Sequence, residues 1–205
     1  MKIYVTGCAR SGTTFLQRLF YAFEGVEVMD GETELYQFAS IKNDGIIVGK
    51  RSRHTVFSDS LPAEHVNEHI SLVRKNQIKI VNIVRDARDV LRSNLYLNRV
   101  IPQSRWIVSI RQSFEFAEDI AYQFKYEDLV YRPAELQYPM AEVFGLTPKA
   151  YWADYPEFVP NSAFVSQWKD KELGSRAITN DSVGKGSDTV LDERAAALNK
   201  QLGYK

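Results

Sequence analysis

The stretch that most restricts what this chain can fold into is Lys2 to Phe20, KIYVTGCARSGTTFLQRLF. Lys2 to Thr6 is short, β-branched and aromatic, and it closes at Gly7, which describes a buried parallel strand. Phe15, Leu16, Leu19, Phe20 and Phe23 then recur at helical spacing, so a helix is predicted over Ser11 to Phe23. A strand, a glycine-bounded loop and a helix start together make an anion site. Loop N–H groups and the positive end of the helix dipole converge on one point there. Ser11, Thr13 and Thr14 add hydroxyl donors, and Arg10 adds a cation able to hold two oxygens of one phosphate. Gly7 and Gly12 stand at the P-loop spacing, yet Thr13-Thr14 occupy the places of Lys-Ser or Lys-Thr.

The pattern continues in alternation. Val26 to Met29, Ile46 to Val48, Ile78 to Val84 and Tyr122 to Tyr126 read as further strands. Ala87, Val90, Leu91 and Leu95 lie on one helical face, and Ile107, Ile110, Phe114, Ala117 and Ala121 do the same for the next helix. Pro133 suits a first helical turn, whereas Pro139 is expected to kink or restart that helix. Residues 147 to 187 combine prolines with many aromatics and read as an irregular, packed covering segment. A last helix is predicted from about Thr189. The expected fold is α/β: a three-layer α/β/α domain around a central parallel sheet, spanning residues 1 to 205 as one domain.

Composition excludes several partners. The 26 basic and 26 acidic side chains cancel, so no global field points to nucleic acid or an anionic membrane, and any anion site is local. No apolar run has the length to cross a bilayer, and the strand at the start leaves no signal-type apolar region, so the cytoplasm is the expected compartment. A single Cys8 and three scattered histidines, His54, His65 and His69, imply no disulfide framework and no metal site. His65 and His69 belong to a polar helix face exposed to water.

Three ligand classes compete for the loop. An ATP or GTP site wants Lys at position 13 and an acidic magnesium ligand after a later strand. Position 13 is Thr, and the best later strand runs into Arg85. A cysteine-dependent phosphatase wants Arg six places after Cys8, where Thr14 stands. A nucleotide carrying a 5′-phosphosulfate needs no metal bridge, and Arg10 can replace the P-loop lysine. A kinase-type phosphotransferase acting on a small hydroxyl compound and a nucleotide-binding module without transfer activity stay open as alternatives.

Residues 7 to 20 resemble the 5′-phosphosulfate loop of the sulfotransferases that use 3′-phosphoadenylyl sulfate (PAPS), above all the bacterial and tyrosylprotein branches with their Arg-Ser-Gly-Thr-Thr core. Residues 80 to 97, IVNIVRDARDVLRSNLYL, are similar to that family's 3′-phosphate segment, a strand, an Arg and then Ser eight positions later. YEDLVYRPAELQYPMAEVFGL (126 to 146) and SVGKGSDTVL (182 to 191) resemble the segment after the last core strand and the C-terminal basic loop. The family often carries an aromatic after the basic residue of that loop, where Gly186 stands here. The resemblance implies a P-loop NTPase-like fold and metal-independent sulfuryl transfer from PAPS, leaving adenosine 3′,5′-bisphosphate (PAP). It assigns Arg10, Ser11, Gly12, Thr13, Thr14 and Phe15 to the 5′ end of the cofactor, and Arg85 and Ser93 to its 3′-phosphate. Tyr126 falls to the adenine side, and Lys185 and Gly186 to the loop that folds over it. Arg10, with Lys185 closing from above, is also expected to stabilise charge on the departing phosphate.

The base is expected near the end of the second strand. MDGETELYQF (29 to 38) offers Glu34, which fits the pattern of heparan sulfate sulfotransferases and is favoured, and Glu32, which fits the tyrosylprotein type. GKRSRHTVF (49 to 57) offers a rival in His54, a natural base near neutral pH. It resembles the Lys-Ser-Pro-x-His stretch of many bacterial sulfotransferases, with Lys50 and His54 matching and the proline absent, and Lys50 is expected to meet the sulfonate or acceptor. The acceptor is a hydroxyl-bearing small molecule, glycan or lipid precursor, or an amine, met by residues 98 to 121 and 147 to 181.

Overall fold

A computed structural model of the chain describes residues 1–29, 31–51, 57, 62–96, 102–160 and 177–205. Its centre is a five-stranded, wholly parallel sheet in the order β2-β3-β1-β4-β5. The strands are β1 (Lys2–Thr6), β2 (Val26–Val28), β3 (Ile46–Lys50), β4 (Lys79–Val84) and β5 (Ile120–Lys125). Both faces are covered, which is why β1, β3 and β4 read as near-continuous apolar runs instead of alternating ones.

Ile3 and Val5 of β1, with Val81 and Ile83 of β4 and Phe124 of β5, face α1 (Thr13–Leu19), α6 (Tyr126–Tyr131) and α7 (Pro133–Phe144) in one core. Trp152 belongs to the same core, fully buried, its indole N–H on the Leu19 carbonyl at 3.0 Å. Gln137 of α7 holds the adjoining chain, accepting from the Trp152 N–H at 2.9 Å and donating to the Ala150 carbonyl at 2.7 Å. On the opposite face Tyr4, Ile47 and Ile80 pack under α2 (Leu35–Ser40) and α3 (Ala63–Lys75). Val84 instead joins α4 (Ala87–Tyr96), α5 (Gln103–Glu115) and α8 (Glu193–Gln201). A polar ladder across the strands, Thr6 to Asn82 at 3.1 Å and Asn82 to Gln123 at 2.9 Å, lies on this face. Side-chain amides and a hydroxyl that satisfy one another make such a seam tolerable where Thr6 and Asn82 are buried.

Strand ends shift by one to two residues from the sequence-based expectation, and the helices differ more. The first helix starts at Thr13, because Gly12 is left-handed at φ 97°, and it gives way to a 3-10 turn over Phe20–Ala22. The helix carrying Ile107 stops at Glu115: Ala117 falls in a 3-10 turn and Ala121 in β5, because Ile120 already pairs with Ile80. Pro139 stays inside a continuous α7, and the carbonyl it deprives of a donor belongs to Glu135, an exposed residue open to water. The last helix starts at Glu193, where the Asp192 carboxylate caps the Ala195 N–H at 2.8 Å. Among the described residues no helix is long and apolar enough to cross a membrane, and no group of His, Cys, Asp and Glu side chains is arranged to hold a metal.

Candidate active site

The carboxyl ends of four neighbouring strands meet at one edge, where open α/β sheets bind their ligands. The loop Gly7 to Gly12 follows β1, Lys50 ends β3, Arg85 follows β4, and Tyr126 follows β5. Gly12 is required twice over. Its φ of 97° lies where glycine is favoured, and a Cβ there would sit 2.6 Å from the Tyr126 ring. Phe15 on α1 makes an edge contact with Tyr126 at 6.5 Å and another with Tyr155 at 5.2 Å.

Two cationic centres flank the loop. The first joins Arg10, Arg85 and Ser93. Arg10 is left-handed at φ 70°, an uncommon state for a residue with a Cβ. This turns its carbonyl onto Arg85, whose NH1 donates to it at 3.0 Å, and lets Arg10 Nε donate to the Ser93 hydroxyl at 3.0 Å. The Arg85 guanidinium lies over the Tyr126 ring, 4.2 Å from its centroid, a stacking worth about 0.5–2 kcal/mol. NH2 of Arg85 donates to the Ser182 carbonyl, and the Ser182 hydroxyl shares a 2.8 Å hydrogen bond with Tyr126. Behind Arg85, the indole of buried Trp106 donates to the Arg85 carbonyl at 3.2 Å and fixes the backbone.

The second centre joins Lys50, Thr14 and Glu32. Lys50 is buried, and its ammonium donates to the Thr14 hydroxyl at 2.9 Å. Burial lowers it from the ordinary 10.5 to about 8, against the opposing pull of the Glu32 carboxylate. That carboxylate is 3.8 Å from Nζ and half-exposed. Gln17 of α1 donates to the Met29 carbonyl at 2.6 Å and ties the chain ahead of Glu32 to the loop helix.

The residues named from the sequence therefore divide. Arg10, Gly12, Phe15, Arg85, Ser93 and Tyr126 come together on one side of the loop, and Thr14, Lys50 and Glu32 on the other. Ser11 and Thr13 are buried between them. Glu34 sits at the N-cap of α2 without capping it, and its charge acts on His69 of α3. His65 is exposed beside Glu68 at 3.3 Å, whereas His69 is buried edge-on to Tyr36 at 5.4 Å, not on a water-exposed face. His54 lies outside the described residues.

Ser182 and Asp89 are additions to the site that periodicity and motif spacing do not announce. Asp86, the acidic residue after β4, accepts from Arg88 and from Asn199 of α8 at 3.3 Å. Two buried polar atoms of the site, Nε of Arg85 and the Ser11 hydroxyl, have no hydrogen-bond partner among the described residues. Buried donors of this kind cost about 1–3 kcal/mol each when left unmade. Both are donors of the kind that the oxygens of a phosphorylated ligand would suit.

The same architecture recurs in solved structures. The sulfotransferase domain from the Synechococcus PCC 7002 olefin synthase matches with a TM-score of 0.71 at 15% identity, over 100% of this chain and 94% of that one. The sulfotransferase domain from the curacin biosynthetic pathway matches at 0.64 and 12% identity, over 100% and 98%. The mouse sulfotransferase SULT7A1 complexed with PAP matches at 0.62 and 13% identity, over 97% and 82%. The likeness is one of fold: this chain has the sulfotransferase fold. No family model and no curated protein matches the sequence.

Proposed function

We propose that this chain, built on the sulfotransferase fold, is a PAPS-dependent sulfotransferase acting on a hydroxyl-bearing acceptor. The observation that carries the reading is the pair of cationic centres flanking one loop, Arg10 with Arg85 and Ser93, and Lys50 with Thr14. A nucleotide with anionic groups at both 3′ and 5′ positions matches two such centres, and one with a 5′ chain alone matches one. The PAP in the mouse neighbour supports the same ligand class.

Arg85 and Ser93 hold the 3′-phosphate, with the unpartnered Nε of Arg85 available to it. Tyr126 and Phe15 border the adenosine. Ser11, Thr13, Thr14 and the loop N–H groups hold the 5′ end. Bound there, PAPS supplies an activated sulfuryl group. Lys50, at Thr14, neutralises charge growing on the departing phosphate, the role the sequence assigned to Arg10, whose side chain here turns to Ser93.

Glu32 receives the acceptor proton, because its carboxylate lies beside Lys50, whereas the charge of Glu34 acts on α3. A magnesium-nucleotide reading is weaker. Asp86 is committed to Arg88 and Asn199, and Arg85 stands where a metal ligand is wanted.

The test is turnover. PAPS with a panel of alcohols, phenols, sugars and amines in excess EDTA is expected to yield sulfated product and PAP, and Glu32→Gln is expected to lower kcat by about 100-fold or more. Phosphoryl transfer from magnesium-ATP to the same panel overturns the reading. Tight binding of PAPS with no product from any acceptor assigns the chain to a nucleotide-binding module.

A further inference from the structure

The RDARD segment carries a second carboxylate that the proposed reaction does not use. Asp89 lies in the first turn of α4 and is buried, and both of its carboxylate oxygens are taken up by backbone donors. Oδ2 accepts from the Gly184 N–H at 2.8 Å and Oδ1 from the Gly186 N–H at 2.7 Å. Both oxygens thus hold backbone donors that flank Lys185, across 95 and 97 residues of sequence. Its place in the first helical turn favours the negative charge.

The same loop is held two residues before Gly184 by Arg85, through the Ser182 carbonyl. One short stretch around the start of α4 therefore grips the loop at both ends, Ser182 at Arg85 and Gly184 to Gly186 at Asp89. The approach is too close for a side chain: a Cβ on Gly186 would stand 2.2 Å from the Arg88 carbonyl oxygen. This explains why Gly186 stands where an aromatic is common in related loops.

We propose that Asp89 is a positioning residue that pins residues 182 to 186 over Arg85 and so sets the protein's selectivity for nucleotides bearing a 3′-phosphate. It acts through the loop that carries Lys185 and touches no ligand itself. The proposal rests on the reading of Arg85 as a 3′-phosphate ligand and adds Lys185, brought by that loop, as a second cation at the same phosphate.

The experiment compares PAP with adenosine 5′-monophosphate by titration calorimetry in wild type, Asp89→Asn, Lys185→Ala and the Asp89→Asn/Lys185→Ala pair. Asn offers one acceptor where two are used, and turns an N–H₂ towards the other glycine. Asp89→Asn is expected to weaken PAP by about tenfold, a loss typical of one charge-assisted hydrogen bond, and to change the monophosphate less than twofold. The double variant is expected to bind PAP no more weakly than Lys185→Ala alone. Gly186→Ala, which lifts the loop but leaves the carboxylate in place, is expected to show the same selective loss. Hydrogen exchange in the ligand-free protein is expected to show protected Gly184 and Gly186 amides that lose protection in Asp89→Asn.

A wild type that prefers PAP while both Asp89→Asn and Gly186→Ala keep that preference overturns the positioning role and leaves the cofactor reading standing. Additive losses in the double variant overturn it as well. A wild type without preference for PAP removes the cofactor reading, and the proposal with it.

Discussion

Arg10 Nε donates to the hydroxyl of Ser93 at 3.0 Å, across 83 residues of sequence. The bond joins the loop after β1 to the helix after β4 and holds the Arg10 side chain on the 3′ side of the proposed nucleotide site. Ser93→Ala is expected to release the Arg10 side chain and weaken PAP by about five- to tenfold, the scale of one hydrogen bond to a charged group. Adenosine 5′-monophosphate is expected to be spared. Parallel titrations check this, and an equal loss for both ligands removes Ser93 from the 3′ side.

Lys50 makes binding depend on pH in the alkaline range. Its ammonium is lowered to about 8 by burial, and an anion beside it favours the protonated form. Below about pH 8 the proton is already present. Above it, binding must take one up, so PAP affinity is expected to fall by up to tenfold per pH unit. Calorimetry at pH 8.5 in buffers of different ionisation enthalpy is expected to register proton uptake in wild type and none in Lys50→Met.

Folding stability responds to the same group with the opposite trend. Between about 8 and the ordinary 10.5 the unfolded chain holds a proton that the folded chain has released. The unfolded state binds more protons there, so unfolding free energy rises with pH across that window. Lys50→Met is expected to abolish this contribution, seen as a flatter dependence of the urea midpoint on pH.

Gly12→Ala brings a methyl into the Tyr126 ring and a side chain to a left-handed position. Such backbone strain costs about 1–3 kcal/mol. The variant is expected to fold with a lowered Tm and to lose at least tenfold in affinity for both PAP and the monophosphate, because the loop itself moves.

Gln137 tests the scaffold without touching the site. Gln137→Leu leaves the buried Trp152 backbone N–H and the partly buried Ala150 carbonyl without their partner. The expected loss is about 2–4 kcal/mol in urea denaturation, with the m-value unchanged.

Most of the sheet and the position of the site are legible in the sequence because they rest on local rules. Apolar runs closed by Gly7 or Arg85 mark strand ends, and strand ends mark ligand edges in an open parallel sheet. Contacts between distant segments leave no such mark. Asp89 looks like half of an Arg-Asp pair until Gly184 and Gly186 arrive from the other end of the chain. Ala121 continues a helical spacing by coincidence and is claimed by pairing of β5 with β4. Glu32 and Glu34 are two residues apart with equal chemistry. What separates them is the left-handed Gly31 at φ 76° and the packing of α2 on α3, which point one acid at Lys50 and leave the other facing His69.

The most direct test of the cofactor assignment is a calorimetric titration of the purified chain with PAP in EDTA, set beside magnesium-ATP. PAP is expected to bind without metal at least tenfold tighter than magnesium-ATP, and Arg85→Ala is expected to erase that margin while leaving adenosine 5′-monophosphate unchanged. Binding of magnesium-ATP in preference to PAP contradicts the account.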